Sequence, residues 1–184
     1  MKESQQFEEI KKFDDYIRII EENNQLLIFN ESIVHKLGNS VFESIDKRGK
    51  KQKSQIELEG IILKPIDVML NLIKDENILP GIKNDAIEEL GKIASKIINS
   101  QIELFYKEII KKLAEYLSLK SLEKTERAQI VSSLNLISET NHRPKWLCEI
   151  LQFLIEKEED RKIRKQLKVA KSRCMEIFPT QEEE

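Results

Sequence analysis

Apolar side chains recur every three or four residues along almost the entire chain. Ile163, Leu167, Ala170, Cys174 and Ile177 follow at spacings of 4, 3, 4 and 3, and Ile82, Ala86, Leu90, Ile93 and Ile97 at 4, 4, 3 and 4. Such spacing gathers the apolar groups into one stripe along a helix, whereas a half-buried strand alternates at every second residue. Turn formers are scarce: 5 Gly and 4 Pro in 184 residues, fewer than a sheet-rich fold needs. Charged residues at 35% and apolar residues at 40% suit helices with one buried and one solvated face. These features predict an all-α fold, in a chain long enough to bury a core without disulfides or metal.

The pattern divides the chain into helices. A first, from about Gln5 to Asn23, carries Phe7, Ile10, Phe13, Ile17 and Ile20. A second starts near Asn30, a favourable N-cap, and carries Ile33, Val34, Leu37, Val41, Phe42 and Ile45. Gly38 lies inside it, at a cost of about 1 kcal/mol against Ala, and so marks the close approach of a neighbouring helix. Residues 47–54, KRGKKQKS, hold no apolar side chain and are expected to form a basic loop or linker. A third helix spans about Gln55 to Asp75. Pro65 is expected either to end or kink it near Lys64 or to open a new helix, the second being the preferred reading. Further helices are expected over 82–98, over 100–117, over 122–138 with Ala128, Val131, Leu134 and Ile137, over a stretch after Pro144 that includes Trp146, Leu147, Ile150, Leu151, Leu154 and Ile155, and over 160–178. Residues 179–184, PTQEEE, are expected to be a disordered acidic tail.

From Ile66 onward the helices group into three units, 66–98, 103–139 and 145–178, with a period of about 40 residues, the size of helical-repeat units. The stretch ending ILPGIKNDAIEELGKIASKI resembles a HEAT repeat in its Asn84-Asp85-Ala86, Leu90-Gly91 and Ile93-Ala94 elements. The other two units keep the apolar spacing but lack the Leu-Gly pair, and the N-terminal hairpin has Leu37-Gly38 alone. The resemblance implies a short α-solenoid of antiparallel hairpins, with an irregular helical bundle as the alternative. It implies no shared active site. The corresponding organisation is an N-terminal hairpin over 1–46 acting as a cap or docking element, a linker over 47–54, HEAT-like repeats over 55–178 and the tail over 179–184.

Chemical motifs are absent from the sequence: it contains no P-loop, G-x-G-x-x-G, H-E-x-x-H or C-x-x-C. His142, Cys148 and Cys174 can be drawn together as a nucleophile pair or a metal site, but Cys174 falls on an apolar stripe and Cys148 beside Trp146, where packing explains both. Acid pairs such as Glu88-Glu89 and Glu158-Glu159-Asp160 read as solvated faces in a chain this charged. No catalytic residue, cofactor or metal is therefore expected. No apolar run approaches the roughly 20 residues a membrane span needs, and two cysteines make a poor disulfide framework, which fits a reducing cytoplasmic setting or a nuclear one in a eukaryote.

The net charge of -2 hides a segregation. Residues 1–46 carry about -5, residues 47–53 about +5 and residues 143–178 about +4. The basic residues Lys47, Arg48, Lys50, Lys51 and Lys53, with Arg161, Arg164, Lys165, Lys168 and Lys171 of the last helix, form the candidate partner surface. Two readings follow. In the first the chain is a non-enzymatic scaffold or adaptor that binds a protein partner through the inner helices 82–98, 122–138 and 160–178. In the second it is a nucleic-acid-binding accessory subunit that uses the two basic clusters. Pairing of the acidic N-terminal helix with the basic C-terminal helix of a second copy also leaves a homo-oligomer open.

Overall fold

The structure is a computed structural model and describes residues 13–20, 33–51, 55–99, 103–119, 122–140 and 144–176. All regular structure among them is α-helical. We label the helices α1 (13–20), α2 (Ile33–Lys51), α3 (Gln55–Lys74), α4 (Pro80–Asn99), α5 (Glu103–Leu117), α6 (Lys124–Ser138), α7 (Lys145–Lys157) and α8 (Arg161–Glu176).

Local chemistry sets several helix limits. Pro80 opens α4 at the first helical position, where its missing N–H costs nothing. The Glu123 amide donates to the Glu126 carboxylate at 3.2 Å, one arm of a capping box at the start of α6. Asp160 Oδ1 accepts from the amides of Lys162 and Ile163, at 2.8 and 3.0 Å, and so caps α8. The Asp75 side chain and carbonyl accept from the amides of Asn77 and Ile78 and shape the turn between α3 and α4.

Two local expectations are corrected. Helix α2 continues through Lys51, so Lys47, Arg48, Lys50 and Lys51 belong to a helix and not to a loop. Lys and Arg are good helix formers, and positive charge suits a helix C-terminus. Lys53 and residues 52–54 lie outside the described residues. Helix α3 runs unbroken from Gln55 to Lys74 with Pro65 inside it. Interior proline costs about 3 kcal/mol, but Pro65 is buried and flanked by the buried Ile61, Ile62, Ile66, Met69 and Ile73. At roughly 1.5–3 kcal/mol per buried aliphatic side chain, packing on both sides of the proline outweighs the lost hydrogen bond.

Packing sorts the helices into two layers. Helices α2, α4, α6 and α8 pack side by side in that order, and α3, α5 and α7 form a second, looser series. The layers join through α2 with α3, α3 with α4, α4 with α5, α5 with α6, and α7 with α8. The short α1 buries Phe13, Ile17 and Ile20 and ties to α3 through Lys64 and Asp14, 2.6 Å apart. One continuous core runs through the molecule, with Leu37 and Val41 of α2, Ile62 and Met69 of α3, Leu90 and Ile93 of α4, Ile109 of α5, Ile130 and Leu134 of α6, Leu151 of α7 and Leu167 of α8. The stripe expected on α6 is displaced at one end: Ala128 is exposed, and Ile130, Val131, Leu134 and Ile137 are buried.

Glycine makes two of the even-layer contacts possible. A Cβ on Gly91 of α4 would fall 2.5 Å from Ser133 Cβ and 3.0 Å from Ser133 Cα of α6. The Ser133 hydroxyl donates to the Ile87 carbonyl of α4 at 3.0 Å. One step along the layer, Gly38 of α2 receives the Glu89 side chain of α4, whose Cδ would lie 2.8 Å from an added Cβ. Each Leu-Gly pair thus places its glycine against the next helix of the even layer.

Candidate interaction surface

The outward face of the even layer is built from residues at helical spacing on four parallel rows. Helix α2 contributes His35, Asn39 and Asp46, helix α4 Asp85, Glu88, Lys92 and Ser95, helix α6 Thr125, Ala128, Ser132 and Leu136, and helix α8 Lys162, Lys165, Val169 and Ser172. Two contacts fix the register of α6 on α8. Arg127, near the start of α6, pairs with Glu158 just before α8, and Glu139, just past α6, pairs with Arg173 near the end of α8. The helices therefore run parallel, and Leu136 stands level with Val169 and Ser132 with Lys165.

On the α2 and α4 rows charged side chains pair with one another. Glu89 is 2% exposed although it sits in an acid pair expected to be solvated. Its Oε1 lies 2.7 Å from His35 Nδ1 and 2.8 Å from Lys92 Nζ, while its Oε2, packed on Gly38, has no hydrogen-bond partner among the described residues. Lys92 also reaches Glu88 at 2.6 Å, and His35 Nε2 lies 3.5 Å from Asp85. Burial would lower the Lys92 pKa, but its hydrogen bonds to Glu88 and Glu89 outweigh that and raise it. Lys96 pairs with Asp46 at 2.5 Å and lies over the Phe42 ring. The two ring nitrogens of His35 thus link α2 to two carboxylates of α4, and the residue acts as a strut between the helices.

The α6 row carries no charge. Leu136 is 38% exposed, and Val169 beside it on α8 is 43% exposed. The α8 row is basic. Arg161, Lys162, Lys165 and Lys168 are exposed, and none of their side chains forms an ion pair among the described residues. Arg164 and Lys171 are half-buried and engaged. Arg164 donates from Nε to the Glu158 carbonyl at 2.7 Å and from Nη2 to the same oxygen, and Lys171 donates to Gln152 Oε1 at 2.7 Å. Of the candidate basic residues, α8 thus presents Arg161, Lys165 and Lys168 to solvent and uses Arg164 and Lys171 for packing. The cluster from Lys47 to Lys51 is on α2, separated from α8 by α4 and α6.

Other polar groups hold the hairpins together. Arg127 donates to the carbonyls of Leu117 and Leu119 and to Glu158, which is 5% exposed and whose Oε1 accepts from the Asp160 amide at 2.9 Å. These residues line a cleft of about 640 Å³ with Leu122, Leu154 and Lys157 at one edge of the stack. Lys83 and Glu126, both buried, lie 3.9 Å apart, and burial together with Glu126 and Glu76 pushes the Tyr116 hydroxyl up to about 12. Cys174 is buried on the α8 stripe and Cys148 half-buried on α7, with neither in a disulfide; His142 lies outside the described residues. Among the described residues no three His, Cys, Asp or Glu side chains converge to hold a metal ion, and no helix is long and apolar enough to cross a membrane.

Sequence reasoning did not find Glu89, Arg127 or Glu158. Each lies in a charged run that looks the same whether it faces water or a neighbouring helix. The one available signal was Gly38, which announced a close neighbour without naming it. No family model, curated protein or solved structure matches this chain.

Proposed function

We propose that the chain is a non-enzymatic interaction module, a short α-solenoid of HEAT-like hairpins that binds a protein partner through the even-layer face of α4, α6 and α8. The solenoid reading is supported by the serial order of packing, in which α2 and α8 share no substantial interface among the described residues. It is supported also by the recurrence of the Leu-Gly notch at Gly38 and Gly91. The observation that carries the binding reading is the α6 row. Thr125, Ala128, Ser132 and Leu136 are exposed, uncharged and flanked by two charged rows, the anatomy of an interface centre with a polar rim. The polar groups of greatest burial are spent on structure, which favours binding over catalysis. The separation of the two basic clusters, with Arg164 and Lys171 engaged, weighs against a continuous nucleic-acid track.

A photo-cross-linking amino acid placed at Ser132 tests this. The expected result is a discrete adduct with a protein partner that is lost when Leu136→Arg is added, with no adduct from the same probe at Lys111 on the opposite layer. Equal cross-linking from both positions would overturn the reading.

A further inference from the structure

We infer that the occupant of the α6–α8 part of this face is an acidic, amphipathic segment of a partner protein, with an apolar side chain over Leu136 and Val169 and carboxylates against Lys165 and Lys162. The inference rests on the interaction-module reading and deepens it by fixing the chemistry of the partner. The register of α6 on α8 divides the two rows into levels. Leu136 and Val169 form an apolar level, both more than a third exposed. One turn toward the helix N-termini stands Lys165 beside Ser132. A further turn along stands Lys162, with Arg161 and Lys168 at the rim. At 1.5 Å rise per residue the two lysine levels lie about 6 and 10 Å from the apolar level.

These cations have no ion-pair partner among the described residues, in contrast to those on the α4 row, where Lys92 and Lys96 are neutralised in place. Charge complementarity therefore selects an anion for the α8 side alone. The apolar level selects against a bare polyanion. A nucleic acid needs a continuous cationic path, often with stacking aromatics, and no aromatic side chain stands on the two rows. The path is also broken at Leu136 and Val169, and Asp85 and Glu88 of α4 stand one helix away. A carboxylate-bearing segment with one apolar anchor meets both levels at once. In a helical partner the anchor and its two acids would fall at i, i+4 and i+7, the spacing of one helix face.

Three probes decide it by fluorescence anisotropy with the full chain at about 0.15 M ionic strength. The first is a labelled synthetic peptide of about four helical turns with leucine and glutamate at that spacing on an alanine–glutamine background. The second is the same peptide with lysine for glutamate, and the third is oligouridylate. The acidic peptide should bind at least about tenfold more tightly than either of the others. Lys162→Glu with Lys165→Glu, and separately Leu136→Ser, should each weaken it about tenfold or more. All three substitutions are at exposed positions, and unchanged melting confirms that the variants fold. Equal or tighter binding of oligouridylate or of the lysine peptide overturns the inference, as does parent-like binding by the variants. If the Ser132 cross-link persists while the acidic peptide fails to bind, the acidic partner falls and the interaction face stands. If both are lost, the face falls with it.

Discussion

Gly38 and Gly91 each receive a residue of the next even-layer helix, but what each receives differs, and the difference is measurable. An added methyl at Gly91 meets Ser133 at its Cβ and at its backbone Cα, neither of which moves without separating α4 from α6. At Gly38 it meets the Glu89 carboxylate, the end of a side chain with three rotatable bonds. Overpacking of a tight core typically costs about 1–3 kcal/mol. Gly91→Ala is expected near the upper end, and Gly38→Ala near the lower, because Glu89 can retract at the expense of its bond to His35. Urea denaturation should show the larger loss of midpoint for Gly91→Ala; the reverse order would mean that the Glu89 cluster is the stiffer contact. Gly38 was legible in the sequence as a place of close approach, and Gly91 only as part of a Leu-Gly pair. Their partners were not. Glu88 and Glu89 are adjacent and chemically alike, and only the 100° turn between them sends one to water and the other onto Gly38.

At the scale of the element, apolar periodicity located the helices well, because burying a stripe is the main source of helix stability in a folded chain. The stripes of α4 and α8 are buried at every expected position that the structure describes. Local breaker signals were less reliable: Pro65 and the KRGKK run both lie inside helices, since packing and propensity over a whole element outweigh one unfavourable residue. Caps behaved as local chemistry dictates, and α8 offers a test. The Ile163 amide, above all, holds the Asp160 carboxyl below its usual value near 3.8 against an opposing desolvation cost, with the Lys162 amide and the charges of Lys124 and Arg127 adding to it. A carboxyl lowered in the folded state contributes stability that is present above the unfolded value and lost as pH falls through the folded one. Asp160→Asn should therefore flatten the stability profile below about pH 4 while leaving an acceptor for the two amides. Asp160→Ala should lower the melting temperature at neutral pH as well. Thermal melts across the acid range distinguish the three proteins; identical acid limbs for the parent and Asp160→Asn would show that the carboxylate charge contributes nothing to the cap.

At the scale of the molecule, the proposed solenoid would make stability a matter of neighbours. A perturbation in α2 reaches α8 only through intervening helices, because among the described residues α2 packs mainly on α3 and α4 whereas α8 packs mainly on α6 and α7. The apolar pattern of the sequence does not carry this order of packing, since the close approach of α4 to α6 at Gly91 and Ser133 is one that no periodicity singles out. Leu37→Ala removes a fully buried side chain from α2, a change that costs about 2–5 kcal/mol in a packed core. In a stack with nearest-neighbour coupling, amide exchange should accelerate strongly in α2 and α3, less in α4, and little in α7 and α8. Leu167→Ala in α8 should give the mirror image. In a bundle whose first and last helices share a core, either substitution would lower protection everywhere by a similar factor. Hydrogen exchange read by mass spectrometry on the two variants measures this gradient directly. A gradient would also bear on binding, because a partner laid across α6 and α8 would then protect the C-terminal hairpins first and leave α2 exchanging almost as it does in the free chain.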